Sequence, residues 1–230
     1  MLHLLGEDAH FLYVEKPAGL PVFPRSAEAA TSTDPGTVLG RLGALRPGQL
    51  ELDWPDGFAG GIVHRLDNQT SGLLVVAKSL STLAEGRRLF GGLVLKRYWF
   101  LSQQSVPWEE HRIEHPIAHH KTDRRKMIWR RGKSTPHRGQ WRPATTVLLR
   151  VCAGLWEARM STGVRHQIRL HAASVGLALQ GDSLYGGGGD GAFFLHHLGP
   201  EAWPEPLPES ALPTAWPGPR GPSGSDGHEG

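Results

Sequence analysis

The sequence predicts an α+β domain built on a mixed, mostly antiparallel central sheet flanked by helices and loops. Three observations carry that prediction. Strand-like and helix-like segments interleave along the chain without a regular βαβ alternation. Residues 73–77 form an unbroken apolar run, the pattern of a strand buried on both faces. Residues 144–151 and 155–160 read as two strands joined across Ala153-Gly154, a hairpin.

Each element has a local reason. Residues 11–14 are rich in aromatic and β-branched side chains and stop at Lys16-Pro17-Ala18-Gly19, so they read as a strand entering a turn. Residues 37–45 read as a helix within a loop-like stretch. Gly60-Gly61 and Ile62-Val63 then lead into a polar cluster that ends at Gly72, just before the buried run. Residues 79–90 predict a helix capped by Ser79 or Thr82, with Thr82 and Glu85 at capping-box spacing. Residues 96–101 return to strand composition around Tyr98 and Trp99. In residues 165–175, Ile168, His171, Ala172 and Val175 fall on one helical stripe, while Arg165 and Arg169 share another face. A short strand over residues 193–195 closes the globular part. Residues 200–230 are mostly Pro, Gly, Ser and Glu, with Trp203 and Trp216 as isolated apolar side chains. Such a segment buries too little surface to offset its ordering entropy, so the expected division is a domain over 1–199 and a loose tail over 200–230.

The formal net charge of +3 is modest, but the charge is concentrated. Lys121, Arg124, Arg125, Lys126, Arg130, Arg131, Lys133, Arg138 and Arg142 face one acid, Asp123, in a stretch that also holds Trp129 and Trp141. That combination suits a phosphate backbone with bases on flat faces, and equally a solvated basic loop; alone it points to a polyanion and nothing finer. The one cysteine, Cys152, lies in an apolar stretch and reads as a buried, inert thiol. No leader-like N-terminus and no membrane-length apolar stretch is visible, so a soluble, cytoplasmic protein is expected.

Three clusters can carry chemistry. In residues 64–71 the chain turns through Asp67 and Asn68 beside a buried strand; the carboxylate there either satisfies turn amides or serves as a rigidly held reactive group. In Lys96-Arg97-Tyr98 the tyrosine alone reads as core packing. Gly163-Val164-Arg165-His166-Gln167-Ile168-Arg169 opens a helix with cations, against the helix dipole, which calls for a phosphate or a buried carboxylate as partner. Adjacent histidines (His119-His120 with Asp123, and His196-His197) lack the spacing and support of a metal site, so no metal is expected.

Together these segments resemble the RluA-type pseudouridine synthases. His64-Arg65-Leu66-Asp67-Asn68-Gln69-Thr70-Ser71-Gly72-Leu73-Leu74 looks like that family's signature, whose Asp is catalytic. Phe11 to Leu20 resembles its opening strand and turn, and Lys96-Arg97-Tyr98 the segment with its active-site tyrosine. His115-Pro116-Ile117 with Asp123-Arg124-Arg125-Lys126-Met127 resembles its basic connecting stretch. His166-Gln167-Ile168-Arg169-Leu170-His171 and Gly181-Asp182-Ser183-Leu184-Tyr185-Gly186 resemble its last motif. The matches follow family order from about residue 2 to 198. Two positions depart from the pattern: the usual Gly-Arg is Gly163-Val164 here, with the arginine one place later at Arg165, and Phe23 stands where the family often has His.

The resemblance implies an isomerase that converts uridine in structured RNA, ribosomal or transfer, to pseudouridine without a cofactor. Asp67 is the implied catalytic carboxylate, attacking the anomeric carbon or assisting departure there. Arg169 is implied as its salt-bridge partner, and Tyr98 as the residue that stacks on the flipped base and takes the proton from the newly bonded carbon. Leu66 and Ile168 would wall the pocket. His64 and Arg65 would stand at its mouth, Arg65 filling the gap left by the base. Lys121, Arg124, Arg125 and Lys126 would hold phosphates, and Arg165 inherits the contact of the displaced arginine. A compact form without the small N-terminal RNA-binding domain of many relatives is expected, acting on a stem-loop rather than on DNA, as a monomer. A non-catalytic RNA-binding protein and a metal-dependent nuclease are the rival readings.

Overall fold

The computed structural model describes residues 2–24, 34–188, 191–213 and 216. Eight strands form the main sheet: β1 (His3–Glu7), β2 (Phe11–Lys16), β3 (Ser71–Ala77), β4 (Leu95–Leu101), β5 (Glu110–Ile113), β9 (Thr146–Cys152), β10 (Leu155–Met160) and β11 (Leu195–Glu201). Their order is β1-β2-β3-β11-β4-β10-β9-β5. Every neighbouring pair is antiparallel except β3 and β11. The mixed α+β sheet expected from the sequence is thus present, with its one parallel contact at the centre. A second, three-stranded sheet, in the order β7-β6-β8, consists of β6 (Ile117–His120), β7 (Met127–Trp129) and β8 (His137–Arg142).

Alternation along the strands builds two apolar layers. Leu12 and Val14 of β2 and Leu74 and Val76 of β3 face a large core with Phe100 and Trp156. That core is covered by α1 (Val38–Leu45) and by Ile168 and Ala172 of α3 (Gln167–Ser174). Phe11, Tyr13, Leu73 and Val75 point the other way, against Leu83 of α2 (Leu80–Arg88) and against Trp203. All of β3 is buried, as its unbroken apolar composition requires. The Thr37 hydroxyl accepts the Gly40 N–H at 3.0 Å to cap α1. At α2 the cap is Ser79, whose hydroxyl accepts the Thr82 N–H at 3.2 Å.

The parallel pairing of β3 with β11 dictates one residue type. Gly72 has φ +118°, and a Cβ there would stand 2.3 Å from the His197 carbonyl oxygen. Only glycine permits that approach.

Three expectations need correction. The last strand lies over Leu195–Glu201, not 193–195, because His196 and His197 are buried with partners that lie far off in the chain: His196 lies between the Ser71 and Ser210 hydroxyls, and His197 Nδ1 donates to the Leu73 carbonyl, while its Nε2 finds no partner among the described residues. The packed chain also runs past residue 199. Trp203 is buried against Phe11 and Phe90 and donates to the Tyr13 hydroxyl, and Trp216 is buried against Phe194. Two large aromatic side chains suffice to hold a Pro-rich segment that composition alone reads as loose; residues 214, 215 and 217–230 lie outside the described residues. Cys152, at the end of β9, is half-buried rather than fully buried.

Candidate active site

Most of the residues singled out in the sequence converge on one cleft of about 1050 Å³. Asp67 reaches it from the turn before β3, Tyr98 from β4, and Ile168 and Arg169 from the start of α3. Strands β3 and β4, which flank β11 in the sheet, and one helix N-terminus therefore hold these groups on rigid elements, although they are far apart in the chain.

The Asp67 turn is held from below. Its own carbonyl accepts the Thr70 N–H at 3.0 Å. Lys16, at the end of β2, is fully buried and donates its ammonium protons to the carbonyls of Pro17, Asn68 and Thr70 at 3.0, 2.9 and 2.6 Å. The Gly19 N–H adds a second bond to Asn68 O at 2.7 Å. Burial lowers the Lys16 pKa to about 8, with the Asp67 charge opposing that shift. A buried cation thus lies within the field of the carboxylate. From the sequence Lys16 stands only as part of the opening strand and turn, with no role assigned; the signal it carries is a lysine ending an apolar strand just before proline, where a buried ammonium must find several acceptors.

The Asp67 side chain is about one-third exposed, with Oδ2 3.8 Å from His166 Nε2. Tyr98 is buried, its ring 4.6 Å from that of His197. Burial first, and the Asp67 charge second, raise the Tyr98 pKa. The phenol therefore stays protonated, which suits contact with a base and works against accepting a proton.

Arg169 departs from its expected partner. Its guanidinium makes a bidentate ion pair with Asp182, 2.7 Å at each contact, rather than with Asp67. Asp182 also accepts the N–H groups of Leu184 and Tyr185, so this pair latches the 181–186 loop onto α3. Arg169 still senses Asp67: burial opposes its charge, the Asp182 contact restores it, and Asp67 contributes at longer range.

The remaining candidates divide. Leu66 and Ile168 are buried and wall the cleft. His64 lines it, but its ring is committed to stacking on Phe90 at 4.1 Å while Nε2 accepts the Val75 N–H. Arg65 is exposed at the rim, 5.8 Å over the Phe23 ring. Arg165 also lines the cleft and donates to the carbonyls of Arg124 and Arg125 at 3.4 Å each, tying α3 to the basic turn.

That turn belongs to the small sheet, so the basic segment is largely ordered structure rather than a loop. Arg125 and Arg142 reach the cleft wall; Lys121, Arg124 and Lys126 lie on the same turn without lining it. Asp123, the lone acid, pairs with Arg125. Among the described residues, no group of three or more metal-ligating side chains is placed to hold an ion.

A sheet with this strand order and a carboxylate, a tyrosine and an arginine around one cleft define a class that comparison with known proteins names. A profile of the RNA pseudouridylate synthase family matches residues 10–174. The chain is 35% identical over 190 residues to the ribosomal large subunit pseudouridine synthase D of Zymomonas mobilis, covering 80% of this chain and 56% of that one. It is 34% identical over 187 residues to the enzyme of the same name from Nitrosomonas europaea, covering 80% and 50%. With the RNA pseudouridine synthase 2, chloroplastic, of Oryza sativa it shares 32% over 222 residues, covering 81% and 49%. The chain thus spans about half the length of the curated relatives it matches. The solved structure of human RNA pseudouridylate synthase domain containing 1 has the same fold, with a TM-score of 0.66 at 23% identity, covering 86% of this chain and 77% of that one. This chain belongs to the RNA pseudouridylate synthase family, on its RluA-type branch.

Proposed function

We propose that the chain is an RNA pseudouridine synthase that isomerises uridine in ribosomal RNA. The observation that carries this reading is Asp67 itself: a carboxylate partly open to the cleft, on a turn held by a buried ammonium, facing a buried tyrosine under a basic rim. Asp67 acts at the anomeric carbon as the bond from ribose to the uracil nitrogen breaks. The base turns, the ring carbon bonds to the same ribose carbon and loses its proton, and the freed ring nitrogen takes one up, so that the product is an isomer of the substrate. No electrons and no external group are exchanged, so the residues that position and exclude water do the work.

A uridine stacked in RNA cannot reach this cleft, so it is extruded, and the least costly to extrude is an unpaired loop uridine. Arg65 at the exposed rim fills the gap it leaves. Arg125, Arg142 and Arg165 hold the flanking phosphates, with Lys121, Arg124 and Lys126 extending the positive field. Tyr98 packs on the uracil; whether its hydroxyl also handles the proton is answered by Tyr98→Phe, which keeps the ring and removes the hydroxyl. Large-subunit ribosomal RNA is the first substrate class to test, following the relatives' names, with transfer RNA second. We place the protein in the cytoplasm as a monomer; among the described residues no helix is long and apolar enough to cross a membrane.

The test is pseudouridine mapping of total RNA from cells lacking the gene, complemented with wild type or with Asp67→Asn. Sites that vanish in the deletion return with wild type and stay absent with the variant. Return of every site with Asp67→Asn would refute the carboxylate's role.

A further inference from the structure

His166 is placed against the local rules. It sits at the N-cap of α3 with φ 57°, left-handed, and caps nothing with its side chain. Asp, Asn, Ser or Thr would cap that end, and a non-glycine residue in this region carries strain of about 1 kcal/mol or more. Such strain persists where the surroundings impose it. Here they aim a buried imidazole at Asp67.

The heavy atoms favour one arrangement of protons along this path, in which each donor has its own acceptor. The Met127 N–H of β7 donates to the Tyr185 oxygen at 2.8 Å. Tyr185 directs its own proton to His166 Nδ1, 2.9 Å away. The His166 proton therefore sits on Nε2, the atom 3.8 Å from Asp67 Oδ2. The opposite tautomer crowds two N–H donors on the Tyr185 oxygen and turns a nitrogen lone pair towards the carboxylate. Burial, which lowers the His166 pKa to about 4 against the pull of Asp67, keeps the ring neutral; Arg169 and Arg165 add to that effect, and Asp182 opposes it.

We propose that His166 is a positioning residue for Asp67: its Nε2–H, fixed in that tautomer by Tyr185, orients the catalytic carboxylate and ties it to strand β7 of the small sheet. The proposal rests on the synthase reading above. A separation of 3.8 Å exceeds a direct hydrogen bond, and catalytic contacts of this kind commonly tighten when substrate closes the site. Because β7 follows directly on the basic turn, hydrogen bonds run from the basic surface through Tyr185 to His166, and the 3.8 Å step to Asp67 Oδ2 is the one that remains to close.

Three variants and a spectroscopic signature test it. His166→Asn keeps a side chain that tolerates the left-handed backbone and can still meet Tyr185, but it does not reach Asp67. It is expected to fold as well as wild type and to bind the same RNA equally. Its single-turnover rate at saturating RNA should fall about 10–100-fold, the range for a reacting group held slightly off its geometry. His166→Gln, whose amide extends to the Nε2 position, should restore part of that loss. Imidazole nitrogen-15 shifts should show wild-type His166 as the Nε2–H tautomer at neutral pH, and Tyr185→Phe should lose that preference together with rate. An Nδ1–H signal in wild type overturns the proposal, as does His166→Asn reacting at the wild-type rate. A wild type that forms no pseudouridine in the same RNA removes the synthase reading and the role of His166 with it. An active wild type matched by His166→Asn removes this inference alone.

Discussion

Lys16 and Asp67 share one design problem at the scale of the residue. A reactive carboxylate must be held still in a partly closed site, and the turn that presents it has several carbonyls pointing inward. One buried ammonium meets both needs: it fills three carbonyls and supplies positive charge beneath Asp67. Replacing Lys16 by Met keeps the bulk but leaves the Pro17 and Thr70 carbonyls without this donor, while Asn68 keeps the Gly19 N–H. Relief of ammonium desolvation offsets part of the loss, so the expected destabilisation is about 2 kcal/mol by urea denaturation. The reaction rate should fall by more than RNA affinity does, since the turn reorients without touching the basic rim. An unchanged rate would detach Lys16 from the site. The Arg169–Asp182 pair acts differently, holding a loop against α3 and lending Asp67 charge only at a distance.

The small sheet is the element that turns a charged stretch into a surface. Its strands stack Trp129 on His115 at 4.6 Å and bring Trp141 to 4.3 Å from His137, so the basic side chains project from a stiff, aromatic-backed frame. Ile117 and Met127 lock that frame onto Val164 and Leu170 in a core of their own. Arg142 lies at the junction, on the last residue of β8 and on the cleft wall. If it contacts a phosphate, Arg142→Ala should weaken binding similarly for RNAs of different sequence and reduce the slope of log affinity against log salt by about 0.7–0.9. Filter binding across a salt series measures this; loss restricted to one RNA sequence would instead mark Arg142 as a reader of bases.

For the molecule as a whole, the buried histidines set the response to acid. His166, His171, His196 and His197 are buried, and desolvation lowers the pKa to about 4 for the first three and about 3 for His197. Above about pH 6.5, the ordinary histidine value, both folded and unfolded chains leave them neutral and the fold keeps its full stability. As pH falls below that, the unfolded chain takes up protons that the folded one refuses, and stability is lost progressively down to about pH 4 and then pH 3. Each such proton contributes a slope of about 1.4 kcal/mol per pH unit. Urea denaturation between pH 7 and 4.5 should therefore show unfolding coupled to uptake of about three protons or more near pH 5. A stability that stays flat from pH 6.5 to 5 would mean these rings are hydrated or paired as cations.

The elements with strong local signals were readable from the chain alone. The apolar run of β3, the Ser79-capped α2, the hairpin of β9 and β10 and the buried stripe of α3 each follow from periodicity, turn or capping chemistry that neighbouring residues carry themselves. The sequence also determined the family, because motifs carrying Asp67, Tyr98 and Arg169 recur in order. Tertiary structure alone decided what those motifs touch. It gave Arg169 to Asp182, buried Lys16 beneath the turn, drew Trp203 into the core and made β11 a central strand from residues of polar appearance. The reason is physical: a hydrogen bond or ion pair between residues tens of positions apart leaves no periodic trace, since its energy depends on which strands become neighbours. Asp67 and His166 lie 99 residues apart by their numbers, and only the packing of α3 against the β3 turn makes them a pair.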